Sequence, residues 1–178
     1  MPMLPRSGRF FPLLALTFVL STLATPARAQ GPQGCVAPEY RQFDFWIGEW
    51  TVATPEGKAA GTSRIERTLG GCVLQEHWSS SNGGDGTSLN MWNAADGRWH
   101  QIWMDAGGNM LELAGQLEDT RMVLSGTHPT PGKPGVLTTE RITWTPLEGG
   151  SVRQFWESST DGGKTWAAQF DGLYVRKS

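Results

Sequence analysis

From residue 49 onward, the chain is a series of short strand-like segments separated by turn sequences such as Gly70-Gly71, Ala95-Asp96-Gly97 and Gly107-Gly108. The predicted strands cover residues 49–54, 61–69, 72–79, 87–93, 98–105, 109–115, 120–127, 137–145, 151–158 and 165–176. No segment of helical length interrupts them, which disfavours a βαβ fold. Because a meander of ten strands leaves two open edges unless it closes, the sequence predicts an all-β fold, a single antiparallel up-and-down β-barrel.

Residues 1–29 are predicted to be a secretory signal peptide and not part of this fold. Arg6 and Arg9 form a basic start, residues 10–23 are an apolar run, and Ala27-Arg28-Ala29 is a cleavage sequence of small residues. The apolar run is too short for a comfortable membrane span. The predicted location is therefore the periplasm or the outside of the cell, and the sequence leaves open which of the two it is.

The mature chain is expected to begin near Gln30 and to form one barrel domain over residues 30–178. The leader takes three of the fifteen basic residues and none of the seventeen acidic ones, so the mature net charge is −5. No run of Lys or Arg remains, which disfavours nucleic acid or an anionic membrane surface as a partner. The sequence leaves the oligomeric state open.

The only two cysteines, Cys35 and Cys72, are expected to form a disulfide in an oxidising compartment. The bond would tie the N-terminal segment to the third strand. The alternative is that Cys35 is a lipid-modified N-terminus. That alternative is disfavoured because Pro32-Gln33-Gly34 lacks the apolar residue such a signal needs and lies well past the apolar run.

An aromatic stretch precedes the first strand. Pro38 suits a first helical position, and the residues that follow at helical spacing are Tyr40, Phe43, Trp46 and Ile47. We therefore expect a short N-terminal helix that ends at Gly48, with its aromatic side chains closing one end of the barrel.

Four predicted strands share a local pattern, in which a hydrogen-bonding side chain lies two residues before a tryptophan. The pairs are Glu76 with Trp78, Asn90 with Trp92, Gln101 with Trp103, and Gln154 with Trp156. Both members of a pair project from the same face of the sheet. If that face points inward, indoles and a few polar groups line a small-molecule pocket, and Asp105 extends it along the strand of Trp103. In the alternative register Met91, Ile102 and Phe155 fill the core.

Signals for chemistry are few. His77, His100 and His128 lack metal-ligand spacing, His128 is expected to be solvated, and neither a metal nor a cofactor is predicted. There is also no nucleophilic serine motif. Glu76 and Asp105 are the candidate proton-transfer groups, because burial beside tryptophans would raise the pKa of a carboxyl group. Catalysis is nevertheless disfavoured, since structural networks perturb acids in the same way.

Residues 159–166 match the Ser-x-Asp-x-Gly-x-Thr-Trp pattern known as an Asp box, which resembles the hairpin repeated in sialidases and other propellers. There it recurs blade after blade and is structural. A single copy in a chain of this length argues against a propeller. The segment is therefore interpreted as a hairpin locked by its own side chains before the last strand.

Several segments taken together resemble a bacterial lipocalin-like family of the calycin group, known mainly as a domain of unknown function. They are residues 43–50, 71–76, 99–105, 153–157 and 170–174. The resemblance covers nearly the whole mature chain. It implies an up-and-down barrel of ten, or eight, strands with an internal cavity, and it implies no reaction.

Two details follow from this resemblance. The Gly48-x-Trp50 step is similar to the lipocalin and fatty-acid-binding-protein signature, which implies that Arg176 covers Trp50, a cation–π contact worth about 0.5–2 kcal/mol. The haem-binding relatives, the nitrobindins, use a histidine late in the chain. Residues 151–176 contain no histidine, so haem is disfavoured.

The sequence thus favours an exported barrel that binds an unidentified small, partly apolar molecule. Two alternatives remain. One is an enzyme that uses Glu76 or Asp105 for proton transfer in the same cavity, and the other is a packed structural or interaction module. A void below about 300 Å³ would favour the packed module, since ligand pockets usually exceed that volume.

Overall fold

A computed structural model describes residues 34–177, and these form a closed barrel of ten antiparallel strands in up-and-down order. The strands are β1 (Gly48–Ala53), β2 (Ala59–Thr68), β3 (Val73–Ser80), β4 (Gly86–Asn93), β5 (Arg98–Asp105), β6 (Met110–Glu118), β7 (Arg121–Pro129), β8 (Leu137–Pro146), β9 (Val152–Ser159) and β10 (Ala167–Arg176). β1 pairs with both β2 and β10, which closes the sheet. The predicted fold class is confirmed. The predicted signal peptide lies outside the described residues.

The segment before β1 contains two short 3₁₀ helices, Pro38–Arg41 and Asp44–Trp46, in place of the single helix expected. Phe43, between them, has φ −102° and ψ 9°, which ends the first before the second begins. Tyr40, Phe43 and Trp46 are spaced by three residues, and this spacing matches the three residues per turn of a 3₁₀ helix.

Phe43, Trp46 and Trp50 close one end of the barrel, and we refer to them as the plug. All three side chains are fully buried. The Phe43 ring packs against Trp46 and Trp144 with centroid distances of 5.1 Å each. The Trp50 Nε1–H donates to the carbonyl oxygen of Trp46 at 3.0 Å, so the last 3₁₀ helix is held onto β1.

Arg176, at the end of β10, covers the outside of the plug. Its guanidinium carbon lies 4.4 Å from the Trp50 ring centroid, and its Nη1 donates to the carbonyl oxygen of Ile47 at 3.0 Å. This is the arrangement expected from the Gly48-x-Trp50 step. Gly48 has φ +147°, and a Cβ there would come within 2.4 Å of Arg176 Nη1, so only glycine leaves room for this contact.

Cys35 and Cys72 form the predicted disulfide, which joins the segment before the plug to the residue preceding β3. Arg41 strengthens the same junction by donating to the carbonyl oxygens of Cys35 and Gly71. Arg67 of β2 makes an ion pair with Asp44. The plug is therefore attached to the barrel wall by covalent, ionic and packing contacts.

The amide-and-indole face of the sheet points into the barrel. Asn90 and Gln101 are 0% and 3% exposed, whereas their neighbours Met91 and Ile102 are 41% and 40% exposed. The register in which Met91, Ile102 and Phe155 fill the core is therefore not adopted. Among residues 34–177, no helix is long and apolar enough to cross a membrane.

The loop between β9 and β10 is locked by its own side chains. Asp161 Oδ1 accepts hydrogen bonds from Ser159 Oγ (2.8 Å) and from the backbone N–H groups of Lys164 (2.9 Å) and Thr165 (3.0 Å). These bonds, led by the Thr165 hydroxyl, hold the pKa of Asp161 well below its usual range. The segment is a hairpin with a structural carboxylate.

Candidate functional site

The end of the barrel opposite the plug contains a cavity of about 170 Å³. Five aromatic residues contribute to its walls: Trp78, Trp103, Trp156, Phe170 and Tyr174. The polar lining residues are Glu76, Gln101, Gln154 and Gln169, and the aliphatic ones are Leu111 and Ile142. The volume lies below the roughly 300 Å³ at which ligand pockets usually begin, so by the criterion given above it favours the packed module over a pocket for a drug-sized ligand. It leaves room for a molecule of about one ring.

The structure brings together six of the nine residues predicted to bind a ligand. These six, which line the cavity, are Glu76, Trp78, Gln101, Trp103, Gln154 and Trp156. Asn90 is fully buried behind the wall, where it bonds Gln101. Trp92 pairs with Trp99 near the plug. The four repeated pairs thus share one face but lie at different depths along the barrel axis.

Asp105 does not reach the cavity, because it caps the turn after β5. Its Oδ1 accepts hydrogen bonds from the backbone N–H groups of Gly107 (2.9 Å) and Asn109 (3.0 Å). Bonds from Asn109, side chain and then backbone, lower the pKa of Asp105. β4 lies between Glu76 on β3 and Asp105 on β5, and Asp105 lies two residues past the position opposite Glu76, which puts their backbones about 12 Å apart. A proton-transfer pair of these two carboxylates is not formed.

Glu76 is the buried carboxyl group of the cavity wall, with 4% of its surface exposed. Ser63 Oγ donates to Glu76 Oε1 at 3.0 Å, and Ser88 Oγ donates to Oε2 at 2.9 Å. Burial raises the pKa of Glu76 to about 7, although the hydrogen bonds from Ser88 and Ser63 oppose that rise. Glu76 therefore exists in both protonation states near neutral pH.

A chain of amide groups continues from Ser88 to the cavity. Asn90 Nδ2 donates to Ser88 Oγ at 2.9 Å and to the carbonyl oxygen of Leu74 at 3.2 Å. Gln101 Nε2 donates to Asn90 Oδ1 at 2.7 Å. In the bonds from Gln101 to Asn90, from Asn90 to Ser88 and from Ser88 to Glu76, the donor is always the residue farther from the carboxylate. All three bonds therefore point toward Glu76.

Tyr174 and Gln154 form the opposite part of the wall. The Tyr174 hydroxyl donates to Gln154 Oε1 at 2.5 Å. Burial, followed by the nearby negative charge of Glu76, raises the pKa of Tyr174 well above its ordinary value. The hydroxyl thus stays protonated and remains a donor at physiological pH. The Trp78 ring packs against Tyr174 and against Phe170, with centroid distances of 6.4 and 6.0 Å.

Glu140 on β8 is a second buried carboxylate, and it was not among the predicted site residues. It is 7% exposed and accepts hydrogen bonds from Trp156 Nε1 at 2.7 Å and His128 Nε2 at 3.2 Å. His128, which was expected to be solvated, is thus only partly exposed and is bound to an acid. The two-residue spacing that puts Glu140 on the same face as Ile142 and Trp144 could have predicted its burial. Ser63 and Ser88 carried no comparable signal.

The arrangement is suited to binding. Indole and phenyl faces provide dispersion contacts, and Glu76, Gln101 and Gln154 provide polar groups at fixed positions. Glu76 is also able to exchange a proton with a bound molecule. Among the described residues no group of three or more His, Cys, Asp or Glu side chains could hold a metal ion.

Neither the family models nor the curated proteins compared with this chain include a significant match. Its function is therefore inferred from the geometry of the cavity.

Proposed function

We propose that this protein is an exported β-barrel that binds a small, partly apolar molecule in the cavity opposite the plug. The observation that carries the proposal is the convergence of Trp78, Trp103 and Trp156, from three strands, on one cavity that also contains Glu76 and Gln101. Such a combination of aromatic walls and a few placed polar groups is typical of ligand sites. The buried carboxyl and amide groups would determine the orientation of the ligand in the cavity.

The cavity volume restricts the ligand. At about 170 Å³, the cavity is similar to an engineered apolar cavity of about 150 Å³ that binds benzene. A molecule built around a single ring, or a branched aliphatic group of that size, would fill it. Any larger ligand would have to extend out of the barrel mouth, past Gln169 and Phe170.

Export is supported by two independent features. The leader over residues 1–29 has the order of basic, apolar and small-residue regions found in secretory signals. The disulfide between Cys35 and Cys72 is typical of proteins that fold in an oxidising compartment.

Native mass spectrometry of protein purified from its own host tests the proposal. We expect an added mass on the wild-type protein. Leu111→Trp, which places a larger ring in the cavity, should abolish that added mass. Ile102→Trp is the matched control because Ile102 lies on the outer face of β5, and it should keep the added mass.

The packed-module alternative predicts a different set of results. It would be supported by a bare mass for the wild-type protein, together with no change in melting temperature or tryptophan fluorescence across a screen of small ring compounds. Bound ligand would raise the melting temperature by mass action, so a site that any compound of the screen occupies would be detected.

A further inference from the structure

We propose that the ligand is an organic cation with an N–H group, an ammonium or amidinium compound about one ring in size, which donates to Glu76. This inference rests on the proposed function, because it names the ligand class for the same cavity. Three observations carry it: the direction of the hydrogen-bond network, the absence of a counter-charge in the wall, and the aromatic faces that surround the carboxylate.

The direction of the hydrogen bonds in this network is determined by a backbone carbonyl oxygen, which can only accept. Asn90 Nδ2 donates to the carbonyl oxygen of Leu74, so the Asn90 amide orientation is determined and its Oδ1 must be the acceptor for Gln101. Gln101 therefore uses its NH₂ group inside the wall. Its carbonyl oxygen is the end that remains for the cavity that Gln101 lines.

Glu76 is an acceptor in the same network. Each of its two oxygens takes one hydroxyl donor, from Ser63 or Ser88, and a carboxylate oxygen has room for a second. Two side chains of the wall, Glu76 and Gln101, thus present acceptors to a ligand. A ligand with N–H donors complements them, whereas an anion would place acceptors against acceptors.

The donors on the other side of the cavity are largely occupied. The Trp156 indole N–H is bonded to Glu140, and the Tyr174 hydroxyl is bonded to Gln154 Oε1. Gln154 keeps its NH₂ group, which suits a ligand with one weak acceptor besides its cationic group.

The described residues of the wall carry no positive charge to balance Glu76. Among the described residues that line the cavity, none is Lys, Arg or His, and the two hydrogen-bond donors to Glu76 are neutral hydroxyls. A buried carboxylate without a cation is unfavourable, which agrees with the raised pKa of Glu76. A cationic ligand supplies the missing charge and would lower that pKa.

The aromatic residues favour the same class. Trp78, Trp103, Trp156 and Phe170 surround the space in front of Glu76, and the negative face of an aromatic ring attracts a cation. The attraction is greatest for tryptophan and for desolvated sites. A carboxylate facing several indoles in a cavity with aromatic walls therefore selects a cation over a neutral molecule of equal shape.

The test compares three probes of similar shape and different charge: benzylammonium, benzyl alcohol and benzoate. Binding is measured by melting temperature and tryptophan fluorescence on the wild-type protein with its disulfide intact, at a pH well above the Glu76 pKa of about 7, where this carboxyl group is ionised. We expect benzylammonium to bind at least about tenfold more tightly than the alcohol, since an ion pair with the carboxylate replaces a hydrogen bond from a neutral hydroxyl. Benzoate should not bind.

The variants locate the effect. Glu76→Gln should reduce the affinity for benzylammonium by about tenfold or more and the affinity for benzyl alcohol by less, because the alcohol loses a charged acceptor and the ammonium loses an ion pair. Glu112→Gln, on the outward face of β6, is the matched control and should bind both as the wild-type protein does. If Glu76→Gln fails to fold, the three-probe series on the wild-type protein still decides the ligand class.

The outcomes separate the two proposals. Binding of benzyl alcohol or benzoate as tightly as benzylammonium would overturn the cation assignment and leave the binding cavity intact. Failure of all three probes, with no response in either measurement, would contradict the proposed function and the cation assignment together.

Discussion

At the plug end of the barrel, Phe43, Trp46 and Trp50 are fully buried, whereas at the other end Trp78, Trp103 and Trp156 are partly buried around a cavity. The two ends use the same residue type. They differ in what lies across the barrel axis. At the plug end the N-terminal segment supplies aromatic rings that fill the opening, and at the cavity end no segment of the described chain does so.

The polar groups follow the same division. Trp46 Nε1 and Trp144 Nε1, near the plug, are buried without a partner among the described residues, while Glu76, Asn90 and Gln101 at the base of the cavity form a connected network. A buried N–H group without a partner is unfavourable. Since the plug end contains two such groups, its stability comes from the packing of its aromatic rings. At the cavity end, polar groups occupy defined positions in the interior, which is a property of binding sites.

The largest expected effect is at the plug. Trp50→Ala should lower the free energy of unfolding by about 3–5 kcal/mol, because a fully buried ring is lost and a cavity remains. Trp103→Ala, at the cavity end, should lower it less, since that side chain is already partly exposed. Urea unfolding monitored by circular dichroism measures both. The comparison would be reversed if Trp50→Ala unfolded like the wild-type protein but failed to bind ligand, because the plug would then be the site.

The second effect is a pH dependence at the base of the cavity. Burial raises the pKa of Glu76 to about 7 from 4.5, so the folded state binds more protons than the unfolded state between these values. The contribution of Glu76 to stability should therefore be fully present below the lower value and be lost as pH rises through about 7, a decrease of up to about 3 kcal/mol. Glu76→Gln should remove this decrease.

Chemical denaturation between pH 4 and pH 8 checks this prediction. Glu112→Gln, which alters an exposed carboxylate on β6, is the control and should keep the wild-type slope. An unchanged slope in Glu76→Gln would show that Glu76 titrates near its ordinary pKa, and that the base of the cavity is more hydrated than its burial indicates.

The smallest effect is at the rim of the plug. Arg176→Gln removes the cation–π contact with Trp50 and the hydrogen bond to the carbonyl oxygen of Ile47. For an exposed arginine this contact is worth about 0.5–1 kcal/mol, so a small drop in melting temperature is expected. Arg121→Gln, at the exposed start of β7, should melt as the wild-type protein does. Equal melting of the two variants would mean that Arg176 adds no measurable stability to the plug.

Much of the fold was predictable because strand ends depend on local turn chemistry. All ten predicted strands are present, with ends within three residues of those observed. The N-terminal helix was the exception. The spacing of Tyr40, Phe43 and Trp46 is compatible with both an α-helix and 3₁₀ turns. The structure has 3₁₀ turns, and in this conformation Phe43 packs against Trp144 of β8.

The site was predictable in part. Two-residue spacing correctly grouped side chains by face, and this is how Glu76, Gln101 and Gln154 were identified. Depth along the barrel axis is not encoded in that spacing. Asp105 lies on the same face as Gln101 but at a strand end, where a glycine turn with free N–H groups captures its carboxylate.

By itself, the sequence determined the number of strands, the closure into a barrel, the disulfide and the aromatic plug, since each depends on residues adjacent in the chain or on the only available partner. The tertiary structure alone decided which face is inside, which polar groups are joined into one network, and that Glu140 holds Trp156 and His128. The reason is that a barrel brings together side chains from strands far apart in sequence. Their contacts depend on register and depth, which no local pattern specifies.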